Sequence, residues 1–238
     1  MYLEGKMKRM PVEDVWKYKG VTRGAIPSRK LGRAVRWKSP LARDYSRLLE
    51  YDPQVLSYEE LPCKISFKWK GATYQCVPDF LVQRQDQNPT IVVCARTRHL
   101  QDPAYRARWT AMQRWCQARH YTFSLVTEEA LQKHAVLIQN LQRLTVHAHR
   151  TIEPPVIEYL LRTIAASPQP LSLPEIIQLT PQVPARLIPG AIWHLLAVGL
   201  LKTNLTQPLH VMNTPIWMKG TKNAIAPSEE KASQEGFL

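Results

Sequence analysis

Asp79 stands in the run Tyr74-Gln-Cys-Val-Pro-Asp-Phe-Leu-Val82, and after a polar turn a second apolar run follows, Ile91-Val-Val-Cys94-Ala-Arg96. If that second run is a strand, Cys94 and Arg96 project to the same side, two residues apart. An acid followed by such an i, i+2 pair is a way of presenting ligands to a divalent cation, and a hard ion such as Mg²⁺ prefers oxygen. A thiol at 94 is a poor oxygen substitute. A guanidinium at 96 can stabilise phosphate charge, but it stays protonated and is a poor general base. The frame suits metal-assisted phosphate chemistry, while only Asp79 brings the side chain such chemistry needs.

The elements that must hold these groups follow from pattern. From Lys64 to Cys76 apolar and polar residues alternate about Gly71, which predicts a hairpin, and the apolar stretches after it predict buried strands. Upstream, Ser39-Pro40 reads as an N-cap followed by proline at the first helical position; Leu41, Tyr45, Leu48 and Leu49 keep helical spacing, and Asp52-Pro53 ends the helix. Downstream, Asp102-Pro103 caps a helix to about His120, with Tyr105, Trp109, Met112, Trp115 and Cys116 as its apolar stripe and Arg106, Arg108, Arg114 and Arg119 opposite. Tyr121 to Val126 alternates like a strand, Thr127 starts a helix, and helix continues from Leu131 through Leu144. This order around a mixed sheet resembles the plan of restriction-type nucleases, a statement about fold and not about activity.

With 238 residues the chain is long enough for two domains, and 45% hydrophobic content argues for a folded one. No apolar run approaches the roughly 20 residues that span a bilayer. The N-terminus lacks a signal-peptide core, so an intracellular, cytoplasmic protein without membrane contact is expected. Four cysteines (Cys63, Cys76, Cys94, Cys116) show no paired spacing and read as reduced. The formal charge of +13 points to a polyanion, DNA or RNA, as partner. Much of it lies between Trp16 and Arg43, where Lys17, Lys19, Arg23, Arg29, Lys30, Arg33, Arg36, Lys38 and Arg43 occur without an acid and Gly20, Gly24, Pro27 and Gly32 break any helix. The stretch reads as an extended basic arm along a phosphate backbone, against the plainer reading of a solvated leader.

Composition shifts around Arg150 to Pro155. An amphipathic helix is expected over Val156–Ala166, a short one over Leu173–Leu179, and a third over Pro184–Val198, ended by Gly199. Leu200–Leu205 and His210–Asn213 then read as a small hairpin. Three helices and a two-stranded wing make a winged-helix arrangement, although the third helix offers few base-reading groups: Arg186, His194 and nearby Gln182. From Lys219 the composition is that of a flexible tail ending in Phe237-Leu238, a candidate docking peptide. The expected domains are a basic arm (1–38), a nuclease-like domain (39–150), a winged helix (151–218) and the tail (219–238).

Taken in order, Ser39-Pro-Leu-Ala-Arg43, Leu49-Glu-Tyr-Asp-Pro-Gln-Val55, Tyr58-Glu-Glu-Leu-Pro62, Tyr74 to Val82 and Phe123-Ser-Leu-Val-Thr-Glu128 resemble the TnsA family, the end-cleaving endonuclease subunits of heteromeric transposases. The resemblance covers roughly residues 30 to 218. It implies an α/β restriction-endonuclease-like domain of the PD-(D/E)xK type followed by a winged helix. It also implies Mg²⁺-dependent nicking of transposon 5′ ends, double-stranded transposon-end DNA as substrate, and as partners a DDE transposase subunit and an AAA+ ATPase regulator, the latter reached through the tail.

Carried over position by position, the resemblance places the family's first acid at Ala42, beside the retained Arg43; its Asp at Asp79; its Glu or Gln at Cys94; and its Lys at Arg96. Asp79 is the metal ligand if the site is active, with Mg²⁺ as cofactor; with the other positions replaced, no cofactor and weak or lost cleavage are expected. DNA contacts are expected from the arm and from Arg106, Arg108 and Arg186. Two alternatives stand beside this. One is an active nuclease with a displaced acid, from Glu59, Glu60 or Glu50, the last about 80° round the helix from Ala42. The other is a winged-helix DNA-binding regulator without nuclease role.

Overall fold

The computed structural model describes residues 22–210 and 212–218. They form two compact units, one ending at Lys133 and the other beginning at His134. The first opens with an antiparallel hairpin of β1 (Gly24–Ser28) and β2 (Arg33–Trp37). It runs through α1 (Pro40–Tyr51) and β3 (Val55–Glu60) into a second hairpin, β4 (Ile65–Trp69) and β5 (Ala72–Cys76). There follow β6 (Phe80–Arg84), β7 (Thr90–Ala95), a 3-10 turn at Thr97–His99, α2 (Pro103–Gln117), β8 (Thr122–Thr127) and α3 (Glu128–Gln132).

The central sheet has the order β3-β6-β7-β8, with β7 and β8 parallel and the other pairs antiparallel. A parallel pair needs a crossover, and α2 supplies it. Alternation along β7 then divides the core. Val92 lies opposite Phe80, against which Tyr45 of α1 packs at 5.9 Å between ring centroids. Val93 and Ala95 instead join Trp109 and Met112 of α2, together with Cys63, Ile65 and Cys76. Helices thus cover both faces of β7, which explains its unbroken apolar run, and each such side chain removed from water contributes about 1.5–3 kcal/mol.

The helix starts are those expected: Ser39, Asp102 and Thr127 each accept a backbone N–H in the first turn of α1, α2 and α3. The extended arm is not seen from Gly24 onward. There the chain folds as β1–β2 because Glu50 gathers its turn: Oε1 accepts the backbone N–H groups of Arg29 (2.7 Å) and Lys30 (3.0 Å), and Oε2 accepts the hydroxyls of Ser28 (2.7 Å) and Tyr58 (3.0 Å). Gly24 faces Trp37 across this hairpin, where a Cβ would meet the indole at 2.5 Å.

The second unit contains α4 (Ala135–His147), α5 (Pro154–Ala166), α6 (Leu173–Leu179), α7 (Ile188–Ala197) and a short antiparallel pair, β9 (Leu201–Lys202) and β10 (Trp217–Met218). Three expectations shift here. The helix expected from Leu131 through Leu144 breaks at Lys133 and His134, so the units part before residue 150; α4 packs on α7, and Asn140 donates from Nδ2 to the carbonyls of Leu205 and Gln207, both at 2.8 Å. The helix expected from Pro184 begins at Ile188, after a turn closed by Leu187 N–H on the Pro184 carbonyl. The partner of β9 is Trp217–Met218 and not His210–Asn213, because Thr214 closes a turn there: its hydroxyl accepts His210 N–H at 2.8 Å and lies 2.7 Å from the His210 carbonyl.

Candidate functional site

Asp79 sits between Pro78 and the start of β6, and its backbone ties two strands together. Its N–H donates to the Val92 carbonyl, and its own carbonyl accepts Leu61 N–H, both at 2.9 Å. Its side chain, only 3% exposed, points into the protein. One carboxylate oxygen, Oδ2, accepts the backbone N–H of Cys94 at 2.8 Å. The other, Oδ1, has no hydrogen-bond donor, but the Lys38 ammonium lies 3.4 Å away and donates at 2.7 Å to the carbonyl of Val77. Among the described residues, the cation that faces this carboxylate is therefore Lys38, the residue just after β2.

The remaining motif positions surround Asp79 unevenly. Ala42 is buried in α1, the helix that packs against β7 and carries Tyr45 onto Phe80. Cys94 is half-buried near the end of β7. Its thiol is pushed well above its ordinary range, first by burial and then by the Asp79 charge, with Lys38 opposing, so it stays protonated at neutral pH. The same burial effect raises the Tyr45 phenol to about 12. Arg96 is exposed just beyond β7, where the strand gives way to the 3-10 turn.

This donor set does not fit a hard divalent cation. It offers one carboxylate already engaged on one oxygen, a neutral thiol, a guanidinium that accepts nothing and a methyl group. Among the described residues no group of three or more His, Cys, Asp or Glu is placed to hold a metal ion. Two of the three displaced acids, Glu50 and Glu60, are occupied elsewhere. Glu50 organises the β1–β2 turn, and Glu60 receives both Nη groups of Arg33 at 2.7 Å.

The expected DNA-contacting residues are dispersed. Lys17 and Lys19 lie outside the described residues. Arg23, Arg29 and Arg36 are exposed around the β1–β2 hairpin. Lys30 is turned inward, its ammonium donating to the carbonyls of Asp52 and Val55, and burial lowers its pKa. Arg43 pairs with Asp44 at 2.9 Å and lies over the Trp37 ring. Arg106 is exposed on α2, whereas Arg108 is half-buried over Tyr105. In the second unit Arg186 is exposed in the turn before α7, Gln182 is bonded to the Tyr159 hydroxyl, and His194 Nδ1 lies 3.1 Å from the His147 carbonyl. Sequence reasoning placed Lys38 with the DNA-binding residues and missed its position against Asp79. No local signal marks it, since only the fold brings β2 and β6 together.

Residues 52–128, from the end of α1 to the start of α3, match the family model described as TnsA-like endonuclease N terminal. The match contains Asp79, Cys94 and Arg96 but neither Lys38 nor Ala42. No curated protein matches the chain. No helix among the described residues is long and apolar enough to cross a membrane. The mixed sheet with its acid at the head of β6 lies within the matched segment: over residues 52–128 the first unit is similar to the TnsA-like endonuclease N-terminal domain.

Proposed function

We propose that this chain is the TnsA-like subunit of a heteromeric DNA transposase. It binds double-stranded transposon-end DNA and bridges the DDE transposase and the AAA+ ATPase regulator, while its own cleavage of the 5′ strand is weak or lost. The observation that carries this reading is the state of Asp79, whose carboxylate is taken up by Cys94 N–H and faced by the Lys38 ammonium. A site of this kind keeps its backbone frame and has exchanged an external cation for a side chain. The second unit supports a winged helix by its helices and its β9–β10 pair, and the modest set of base-reading groups around α7 suits backbone or protein contacts more than sequence readout.

Without a 5′ cut, 3′ joining alone leaves donor and target linked, so cointegrates are the expected product. In the complex assembled with the DDE transposase and the AAA+ regulator, on donor DNA with Mg²⁺, 5′ nicks should form no faster than with Asp79→Ala. Efficient 5′ nicking abolished by that substitution overturns the reading in favour of an active nuclease. Sequence-specific duplex binding with no association with a transposase favours the winged-helix regulator.

The same reasoning predicts what restores metal binding. Ala42→Glu, Cys94→Glu and Arg96→Lys return the donors, but Asp79 is not released until Lys38→Ala removes its counter-charge. Titration with Mn²⁺ followed by electron paramagnetic resonance should show a bound ion in the quadruple variant and less in the triple one. Equal binding in both would mean that Lys38 does not block the site.

A further inference from the structure

The β4–β5 hairpin has no part in the site described above, and its chemistry is one-sided. Among the described residues it pairs only with itself, as a separate two-stranded sheet. Its register places Ser66 opposite Gln75 and Lys68 opposite Thr73. With Lys64, these side chains share one face by strand alternation, and all five are exposed. No Asp or Glu occurs between Lys64 and Cys76. The opposite face is apolar: Ile65 and Cys76 are buried at the foot, in the cluster that includes Trp109 and Met112. Towards the tip, Phe67 stacks on Tyr74 at 5.7 Å and Trp69 meets Tyr74 edge-on at 5.8 Å.

The tip is a two-residue turn. Lys70 and Gly71 both have positive φ (48° and 79°), the backbone of the primed turns whose twist matches the strands they join. Lys70 rests its ammonium over the Trp69 ring at 4.7 Å. The hairpin is therefore stiffened by a ring ladder along one face and anchored at its foot. Its other face presents Lys64 and Lys68 with the polar groups of Ser66, Thr73 and Gln75.

We infer that this β-ribbon is a double-stranded DNA contact, its Lys64, Ser66, Lys68, Thr73 and Gln75 face meeting the duplex and Lys70 adding a cation at the tip. A two-stranded ribbon is narrow enough for the major groove, and Lys, Ser, Thr and Gln are side chains that commonly contact phosphates and base edges. A single strand would be held differently, by bases stacking on aromatic faces. Here Phe67, Trp69 and Tyr74 are engaged with one another on the far side, which favours duplex. The inference rests on the DNA-binding part of the proposed function and adds a surface that neither the basic arm nor the winged helix supplies.

The test uses the full chain with a fluorescein-labelled duplex and its single strand, followed by anisotropy between about 50 and 200 mM salt. Lys64→Ala/Lys68→Ala/Lys70→Ala should weaken duplex binding at least about tenfold at the low end and reduce the salt slope by about 3, one per phosphate-contacting lysine. Ser66→Glu/Thr73→Glu, which leaves every lysine in place, should also weaken it. Both variants should melt at the wild-type temperature. Unchanged duplex affinity and slope in the triple variant overturn the inference, as does a larger loss for the single strand. If wild type binds duplex and the ribbon variants are indifferent, only the ribbon assignment falls. If wild type does not bind duplex, the DNA-binding part of the proposed function falls with it.

Discussion

The two hairpins of the first unit are both basic and are used in opposite ways. In β1–β2, Lys30 donates to the carbonyls of Asp52 and Val55, Arg33 pairs with Glu60, and Lys38, just past β2, faces Asp79. In β4–β5, Lys68 and the turn residue Lys70 are exposed on a ribbon that contains no acid. A cation enclosed by the chain's own oxygens contributes to the fold and little to an outside field, whereas one on an acid-free ribbon raises the local concentration of polyanions. Counting Lys and Arg along the chain cannot separate the two cases, because the acids that neutralise the first set come from α1, β3 and the head of β6.

The sharpest way to break this contrast is at Glu50. Its carboxylate accepts four hydrogen bonds, from Ser28, Arg29, Lys30 and Tyr58. Glu50→Ala leaves these donors to water or unsatisfied, at roughly 1 kcal/mol or more for each one that stays covered. A loss of about 2–4 kcal/mol in urea-induced unfolding is expected, together with protease cleavage in the Arg29–Arg33 turn. If stability holds and the turn stays protected, the first hairpin does not depend on this acid.

What the sequence made legible, and what it did not, divides by range. Caps at Ser39, Asp102 and Thr127 and the hairpin from Ile65 to Cys76 were readable because each depends on neighbours within a few residues. The motif at Asp79 was readable because proline, acid and the following strand are contiguous. The folding of residues 24–37, the counter-ion at Lys38 and the strand at Trp217 were not, because each is decided by a partner distant in the chain: Glu50, Asp79 and β9 respectively. Polar residues whose partners are distant are the ones that composition alone assigns to solvent.

A smaller effect is expected at the foot of the ribbon. Cys76 Sγ lies 3.3 Å from the Ile65 carbonyl as a thiol donor, and burial raises its pKa from 9.0 to about 11. Between these values the unfolded chain releases the proton while the native state keeps it. The unfolded state then binds fewer protons, and stability falls as pH rises. The contribution is complete below 9.0 and is lost progressively up to about 11, by roughly 2–3 kcal/mol at most. Urea titrations at intervals through this window should show a shallower decline in Cys76→Ala than in wild type. Identical slopes would mean that this thiol is not protected in the native state.

The smallest effect belongs to Arg33, and it is the most direct comparison of the two hairpins. Its guanidinium meets both oxygens of Glu60 at 2.7 Å, with the arginine side chain 46% exposed and the glutamate 7%. Because half of the arginine is in water, its removal should cost less than about 1 kcal/mol, and less still as salt rises. Its effect on DNA should be slight as well, since Glu60 already neutralises it, whereas Lys68→Ala removes a charge from the acid-free ribbon. The same anisotropy titration decides between them: Lys68→Ala should lower the salt slope by about 1 and Arg33→Ala should leave it nearly unchanged. Equal losses would show that pairing to an internal acid does not withdraw a cation from the DNA-facing field, and the distinction between the hairpins would then rest on geometry alone.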